Sequence, residues 1–169
     1  MQEVGEEMEQ HKGVAKFENE LKVIESEDIR AFAHNAIVAS PPSFWKDKEL
    51  VAYTKKVFKV VKELLDHDKV KPPIRDVILT GVLLSDVALN ELSDRFKHLH
   101  PLAAAKILEP VSKDIHKALW EGITRIIEAH EGENTPSKLL EPKPGTPEHL
   151  VSLAHRLVKN QTIEVKIEE

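Results

Sequence analysis

Nine histidines and no cysteine in a chain of 169 residues set the chemistry that this sequence could perform. Asp86 closes an apolar helical run, and fourteen positions on (100 − 86) His100 opens another helix next to Pro101, with His98 two residues earlier. His130 closes a further apolar stripe, and His155 lies on the last helix between Ala154 and Arg156. Aspartate and histidine delivered from four helix ends or faces is how a helical bundle builds a divalent-metal site, because carboxylate and imidazole together suit Mn, Fe, Ni or Zn. The structural alternative makes Asp86 a helix-end hydrogen bonder and His155 a core histidine. The other five histidines, His11, His34, His67, His116 and His149, stand beside polar neighbours or at helix starts and read as surface residues. Without cysteine there is no disulfide, thiolate nucleophile or cysteine-ligated zinc, which favours Mn, Fe, Mg or Ni held by His, Asp and Glu. The chain has no glycine-rich phosphate loop, G-x-S-x-G elbow or H-E-x-x-H pair, which sets aside nucleotide kinases, serine hydrolases and zincins.

These residues need a scaffold, and the pattern of apolar positions supplies one. A chain of this length builds one core but not two. Residues 1–25 form an acidic arm with six glutamates before position 21 and scattered Val14, Phe17, Leu21 and Ile24, so the first dozen are expected to be mobile and the rest a weak helix or docking arm. The remaining residues, 26–169, are read as a helical domain. Ser26, with Glu27 and Asp28 behind it, predicts a capped helix to about Val38, and the paired prolines of ASPPSFWK predict a loop after it. Leu50, Val51, Val57, Phe58, Val61, Leu64 and Leu65 recur at three- and four-residue steps, the clearest amphipathic helix of the chain. ILTGVLL is apolar on nearly all sides and therefore central, with Gly81 allowing a close helix approach. Pro101 opens a further helix, Ser112 is expected to cap the next one, and Thr146 with Pro147 starts the last. Glu131 to Gly145 holds three prolines and two glycines and reads as a long loop, while TIEVKIE reads as a short strand or extended tail. The sum is an all-α bundle of about six helices.

A net charge of −5 argues against a protein that grips nucleic-acid backbone, and no apolar run approaches the ~18 residues of a membrane span. The acidic start, MQEVGEEMEQHKG, lacks the apolar core of a secretory signal. A cytoplasmic protein is expected on these grounds.

Four stretches in order then resemble the HD-domain metal-dependent phosphohydrolases, in particular their small single-domain phage and bacterial members. ELVAYTKKVFKVVKELL resembles the helix with that family's opening His-Thr, and DVILTGVLLSDV the helix that ends in its His-Asp doublet. HLHPLAAAKIL resembles its His-Pro helix, and AHEGENTPSKLLEPKPGTPEHLVSLAHRLVKNQTIEV the stretch from a further histidine to a closing Leu-Ala-Asp helix. Carried over residue by residue, the first metal histidine falls on Tyr53, the doublet on Ser85 and Asp86, and the closing aspartate on His155. The auxiliary histidines fall on His100 and His130. The resemblance thus implies an HD-like helical domain with a degenerate motif at Tyr53, Ser85 and His155. It implies loss of ordinary hydrolysis, no cofactor at the usual ion site, and a protein that binds a nucleotide, a phosphate group or a protein partner, its own copies included. The enzyme alternative is an active phosphohydrolase on nucleotides or phosphate esters, with Asp86 as the essential catalytic residue and a relocated Mn, Fe, Ni or Mg ion on Asp86, His100, His130 and His155. A third reading is an assembly protein, with the acidic arm and with Phe44 and Trp45 of the ASPPSFW loop as partner anchors. If phage-encoded, the protein would work in the host cytoplasm.

Overall fold

The computed structural model of the chain describes residues 2–168. It is all-helical, with no strand among the described residues. The α-helices are α1 (Gln2–Lys16), α2 (Glu18–Val23), α3 (Glu27–Ala39), α4 (Pro42–Trp45), α5 (Lys48–His67), α6 (Ile74–Leu84), α7 (His100–Leu108), α8 (Lys117–Ala129) and α9 (Pro147–Lys159), joined by short 3-10 turns.

The all-apolar run becomes the axis of the bundle. From Ile78 to Leu84 every residue of α6 is buried, and the helix packs against α3, α5 and α8. Gly81 makes the closest of these approaches possible, since a Cβ there would lie 2.5 Å from the Cβ of Ile126 on α8. Buried Asp76, in the first turn of α6, ties that axis to α3: its carboxylate accepts from the Glu25 and Ser26 amides at 3.2 and 2.8 Å and from the Ser26 hydroxyl at 2.7 Å. Ser26 stands at the N-cap of α3 as the sequence suggests, but its hydroxyl serves Asp76 instead of the helix's own amides. The negative carboxylate at that N-terminus complements the helix dipole.

Other expectations shift by local chemistry. Pro41 and Pro42 do not give an irregular loop: proline suits a helix's first turn, and Pro42–Trp45 winds into the single-turn helix α4, which buries both Phe44 and Trp45. Ser112 does not cap α8; its hydroxyl donates to the Glu109 carbonyl, and the imidazole of His116 accepts the Ala118 amide in its place. Thr146 does cap α9, accepting from the His149 amide at 3.3 Å. Of the arm, Met1 lies outside the described residues and the rest is mostly helical, with Phe17, Leu21 and Ile24 in the core. TIEVKIE runs as extended chain over α5, held by the Lys59 ammonium on the Lys166 carbonyl at 2.6 Å. The lysines of α5 are largely occupied, Lys55 with Glu20 and Lys62 with Asp66 at 2.8 Å. No helix among the described residues is long and apolar enough to cross a membrane.

Candidate metal centre

Three helix ends meet at one buried point. Just past the C-terminus of α6 stands Asp86; His100 is the first residue of α7; His130 follows the last residue of α8, and Glu131 follows it into the long loop. Asp86, His100 and His130 are at most 5% exposed, and Glu131 is partly covered. One ligand atom from each of the four lies within 4.8 Å of all the others.

Each imidazole is aimed by a carbonyl three residues back. The Nδ1–H of His130 donates to the Ile127 carbonyl at 2.6 Å, and the Nδ1–H of His100 to the Lys97 carbonyl at 2.7 Å. The last carbonyls of a helix lack an amide partner from the next turn, so a histidine just past the end of α8 finds an acceptor waiting for it. A carbonyl can only accept, which assigns the proton to Nδ1 in both rings and turns both Nε2 atoms inward. There they stand 3.0 Å apart. Oδ1 of Asp86 is 3.1 Å from one and 3.2 Å from the other, and Oε1 of Glu131 is 3.4 and 3.3 Å away. Two imidazole lone pairs facing each other repel unless protons or a cation lie between them. Ligands about 2.1 Å from a shared ion are spaced at roughly 3.0 to 3.5 Å, so the cluster already has the dimensions of a coordination shell.

The charges follow from this arrangement. Burial alone would raise the pKa of Asp86, yet hydrogen bonds from His100 and His130 hold it well below the usual carboxylate range. Hydrogen bonds from the same two rings push Glu131 down as well. Burial alone would lower His130, but its bond to Asp86 and the charges of Asp86 and Glu131 take it up to about 10. His100 is raised in the same way by Asp86 and Glu131 against its own burial. Without a metal the cluster therefore holds two carboxylates and two imidazoles that favour their protonated form, a charge balance that a single divalent ion can replace.

His155 and Tyr53 form a separate pair alongside. The His155 ring packs 4.7 Å from that of His130, but its Nδ1 is bonded to the Tyr53 hydroxyl at 2.8 Å and its nitrogens are not among the converging ligand atoms. Burial and the His130 charge lower His155 to about 3, so the ring is neutral. Tyr53 is raised by burial and by the charges of Asp86 and Glu131, which keeps it a phenol. Ser85 takes no part: fully buried, it donates to the Gly81 carbonyl at 2.6 Å within its own helix. Of the sequence-derived ligands the structure brings together Asp86, His100 and His130, leaves His155 one ring away, and adds Glu131. The signal for Glu131 was its adjacency to His130, hidden because it opens a segment that reads as loop.

The cluster opens on a cleft of about 560 Å³ lined by Tyr53, Asp86, His100 and Glu131, with Lys97, His98 and Lys159 at its wall. Comparison of the chain with known protein families, with curated proteins and with solved structures finds no match.

Proposed function

We propose that the protein is a divalent-metal-dependent phosphohydrolase, with an HD-like helical scaffold, whose ion is held by Asp86, His100, His130 and Glu131. One observation carries this reading: two histidines with Nδ1 committed to backbone carbonyls present their Nε2 atoms 3.0 Å apart to two carboxylates, a set whose inward protons a single divalent cation can replace. Two imidazoles and two carboxylates favour Mn, Fe or Ni over Mg, which prefers an all-oxygen shell. A bound divalent ion lowers the pKa of a water and polarises a phosphoryl oxygen. The chain's part is to hold four ligand positions rigidly at the buried end of the cleft, leaving the cleft side for water and substrate. Lys97 and Lys159 supply the positive wall that a phosphate ester needs, since its developing charge must be met by fixed cations.

The reading of a binding protein without the usual ion site has its own support. Where the resemblance expects metal ligands, the Tyr53 hydroxyl is engaged by Nδ1 of His155, and Ser85 is satisfied by its own helix. The two readings meet if the ion sits at the four-residue cluster and not at the positions of Tyr53, Ser85 and His155. Elemental analysis of extensively washed protein is expected to give one transition-metal ion per chain, absent in Asp86→Ala, and Mn-stimulated release of phosphate from p-nitrophenyl phosphate or a nucleotide panel. Metal-free protein that takes up no Mn, Fe or Ni would overturn the proposal; tight metal with no release from any phosphate ester would leave the site and remove the reaction.

A further inference from the structure

The last helix carries a stripe of polar side chains that the metal ligands do not use. Ser152, His155, Arg156 and Lys159 stand at i, i+3, i+4 and i+7 of α9 and so share one face of it. All four line a cavity of about 160 Å³, several times the ~30 Å³ share of a water in the liquid. This cavity and the larger cleft in front of Asp86 and His100 have Tyr53, Glu131, Asn134 and Lys159 in common, so the two are neighbouring halves of one depression.

The smaller half is lined by donors. Its one carboxylate, Glu131, is already turned to the two imidazoles at 3.3 and 3.4 Å. Lys159 has no carboxylate at ion-pair distance among the described residues, and the partner of Arg156 is the solvent-facing Glu133 at 3.9 Å. Asn134 and Asn160 add amide donors. The deepest donor is His155. The Tyr53 hydroxyl lies 2.8 Å from Nδ1 of His155 and 3.4 Å from its backbone carbonyl; donation over the shorter contact, to the more basic nitrogen, assigns the ring's proton to Nε2. That Nε2 is buried and has no hydrogen-bond partner among the described residues, an arrangement native structures rarely keep without an acceptor to meet it.

We propose that this cavity is a phosphate subsite formed by Arg156, Lys159, Asn134 and the Nε2–H of His155, and that the substrate of the adjoining metal centre carries a second phosphate group that docks in it. A guanidinium fork and an ammonium with few competing carboxylates match a tetrahedral oxyanion, and a neutral buried N–H donor adds direction without charge. The second half of the proposal rests on the metal-dependent reading above; the subsite itself does not. Arg156 and Lys159 also lie in the last turn of α9, where cations offset the negative helix end, a role that asks nothing of the cavity.

Titration of metal-free, full-length protein with inorganic phosphate, followed by calorimetry or 31P NMR line width, separates these roles. Saturable binding is expected in the wild type and in Asp86→Asn. It should weaken by about tenfold or more in the double variant Arg156→Gln, Lys159→Gln, whose Mn uptake remains that of the wild type. His155→Phe keeps the ring and deletes both nitrogens, and should weaken phosphate severalfold. Phosphate that binds only after Mn is added, or equally well in the double variant, would overturn the subsite. In Mn-loaded protein the KM of a sugar bisphosphate should rise severalfold more in the double variant than that of the monophosphate, which loses only the wall contact of Lys159. Equal KM changes for both would overturn the second docking group, whereas absence of turnover on either bears on the hydrolase reading and leaves the metal-free phosphate result standing.

Discussion

Glu131 and His130 are adjacent in sequence, yet they were not equally legible. His130 could be found because it ends the Ile115, Leu119, Ile123, Ile126, Ile127 stripe, and a polar residue at the end of a buried helix is placed by its neighbours. Glu131 belongs to no periodic run, so only the fold shows that the chain's first step off α8 turns its carboxylate back on both imidazoles. Likewise His155 sits on a buried helix face, as its sequence position implied, but which partner its nitrogens take depended on Tyr53, 102 positions away. The same residues predict a proton-coupled metal site. The Asp86 and Glu131 charges raise both His100 and His130, the latter to about 10, so a divalent ion must displace their protons. Metal affinity is expected to rise with pH across the neutral range, with up to about two protons released per ion, which calorimetry in buffers of different ionisation enthalpy would measure. The stability sign runs the other way in metal-free protein. A histidine with a raised folded pKa contributes stability that is whole below its unfolded value near ~6.5 and is lost as pH climbs towards about 10. Urea midpoints of the metal-free chain should therefore fall from pH 7 to 10, and Glu131→Ala should bind Mn at least ~10–100-fold more weakly. A flat alkaline limb, or no proton release, would contradict the charge state assigned to the cluster.

At the scale of elements, legibility followed packing. Helix α5 was marked by its apolar repeat and α6 by having no polar face at all, and both run as that pattern implies. Caps were less legible, because a competent side chain can be taken elsewhere: the Ser26 hydroxyl goes to distant Asp76, and that of Ser112 to the Glu109 carbonyl, which leaves the cap of α8 to His116. Gly81 is where an element-level inference from sequence can be put to the test. Its missing side chain lets α8 close on α6, and α6 sets Asp86 at its end while α8 sets His130 at its own. Gly81→Ala places a carbon 2.5 Å from Ile126, a contact that neither backbone can absorb without shifting. A loss of about 1–3 kcal/mol is expected from overpacking, offset against alanine's better helix propensity of about 1 kcal/mol. Pairing it with Ile126→Gly, which removes the struck Cβ and Cγ2, should show strong non-additivity in a double-mutant cycle. Because the two helices carry ligands, Gly81→Ala should also weaken Mn binding, whereas a neutral change in both quantities would mean that the helices do not meet at this point as described.

For the whole molecule, the arm from Gly13 onward packs into the body of the bundle. Its sequence offers glutamates and thinly spaced apolar residues, which is why residues 1–25 read as separable; the spacing conceals that Phe17, Leu21 and Ile24 are each inserted into one core. Phe17 is fully buried and stacks on Phe44 with centroids 5.4 Å apart, and Gly13 on α1 lies so close to Trp45 that a Cβ would be 2.7 Å from the indole. The aromatics that could have anchored a partner are thus spent on holding α1, α4 and α5 together. Phe17→Ala removes a whole ring from this junction, for which core truncations cost about 3–5 kcal/mol, or roughly 10 °C in melting temperature for a chain of this size. Deleting residues 1–25 should be worse, giving a chain that melts broadly or aggregates instead of the well-behaved shorter domain that a flexible tether would leave behind. The metal ligands all lie beyond residue 85, so folded Phe17→Ala should still bind one ion per chain below its lowered melting point. A Phe17→Ala protein melting within a degree or two of the wild type would restore the arm to the status of an appendage, and with it the assembly role that its burial now argues against.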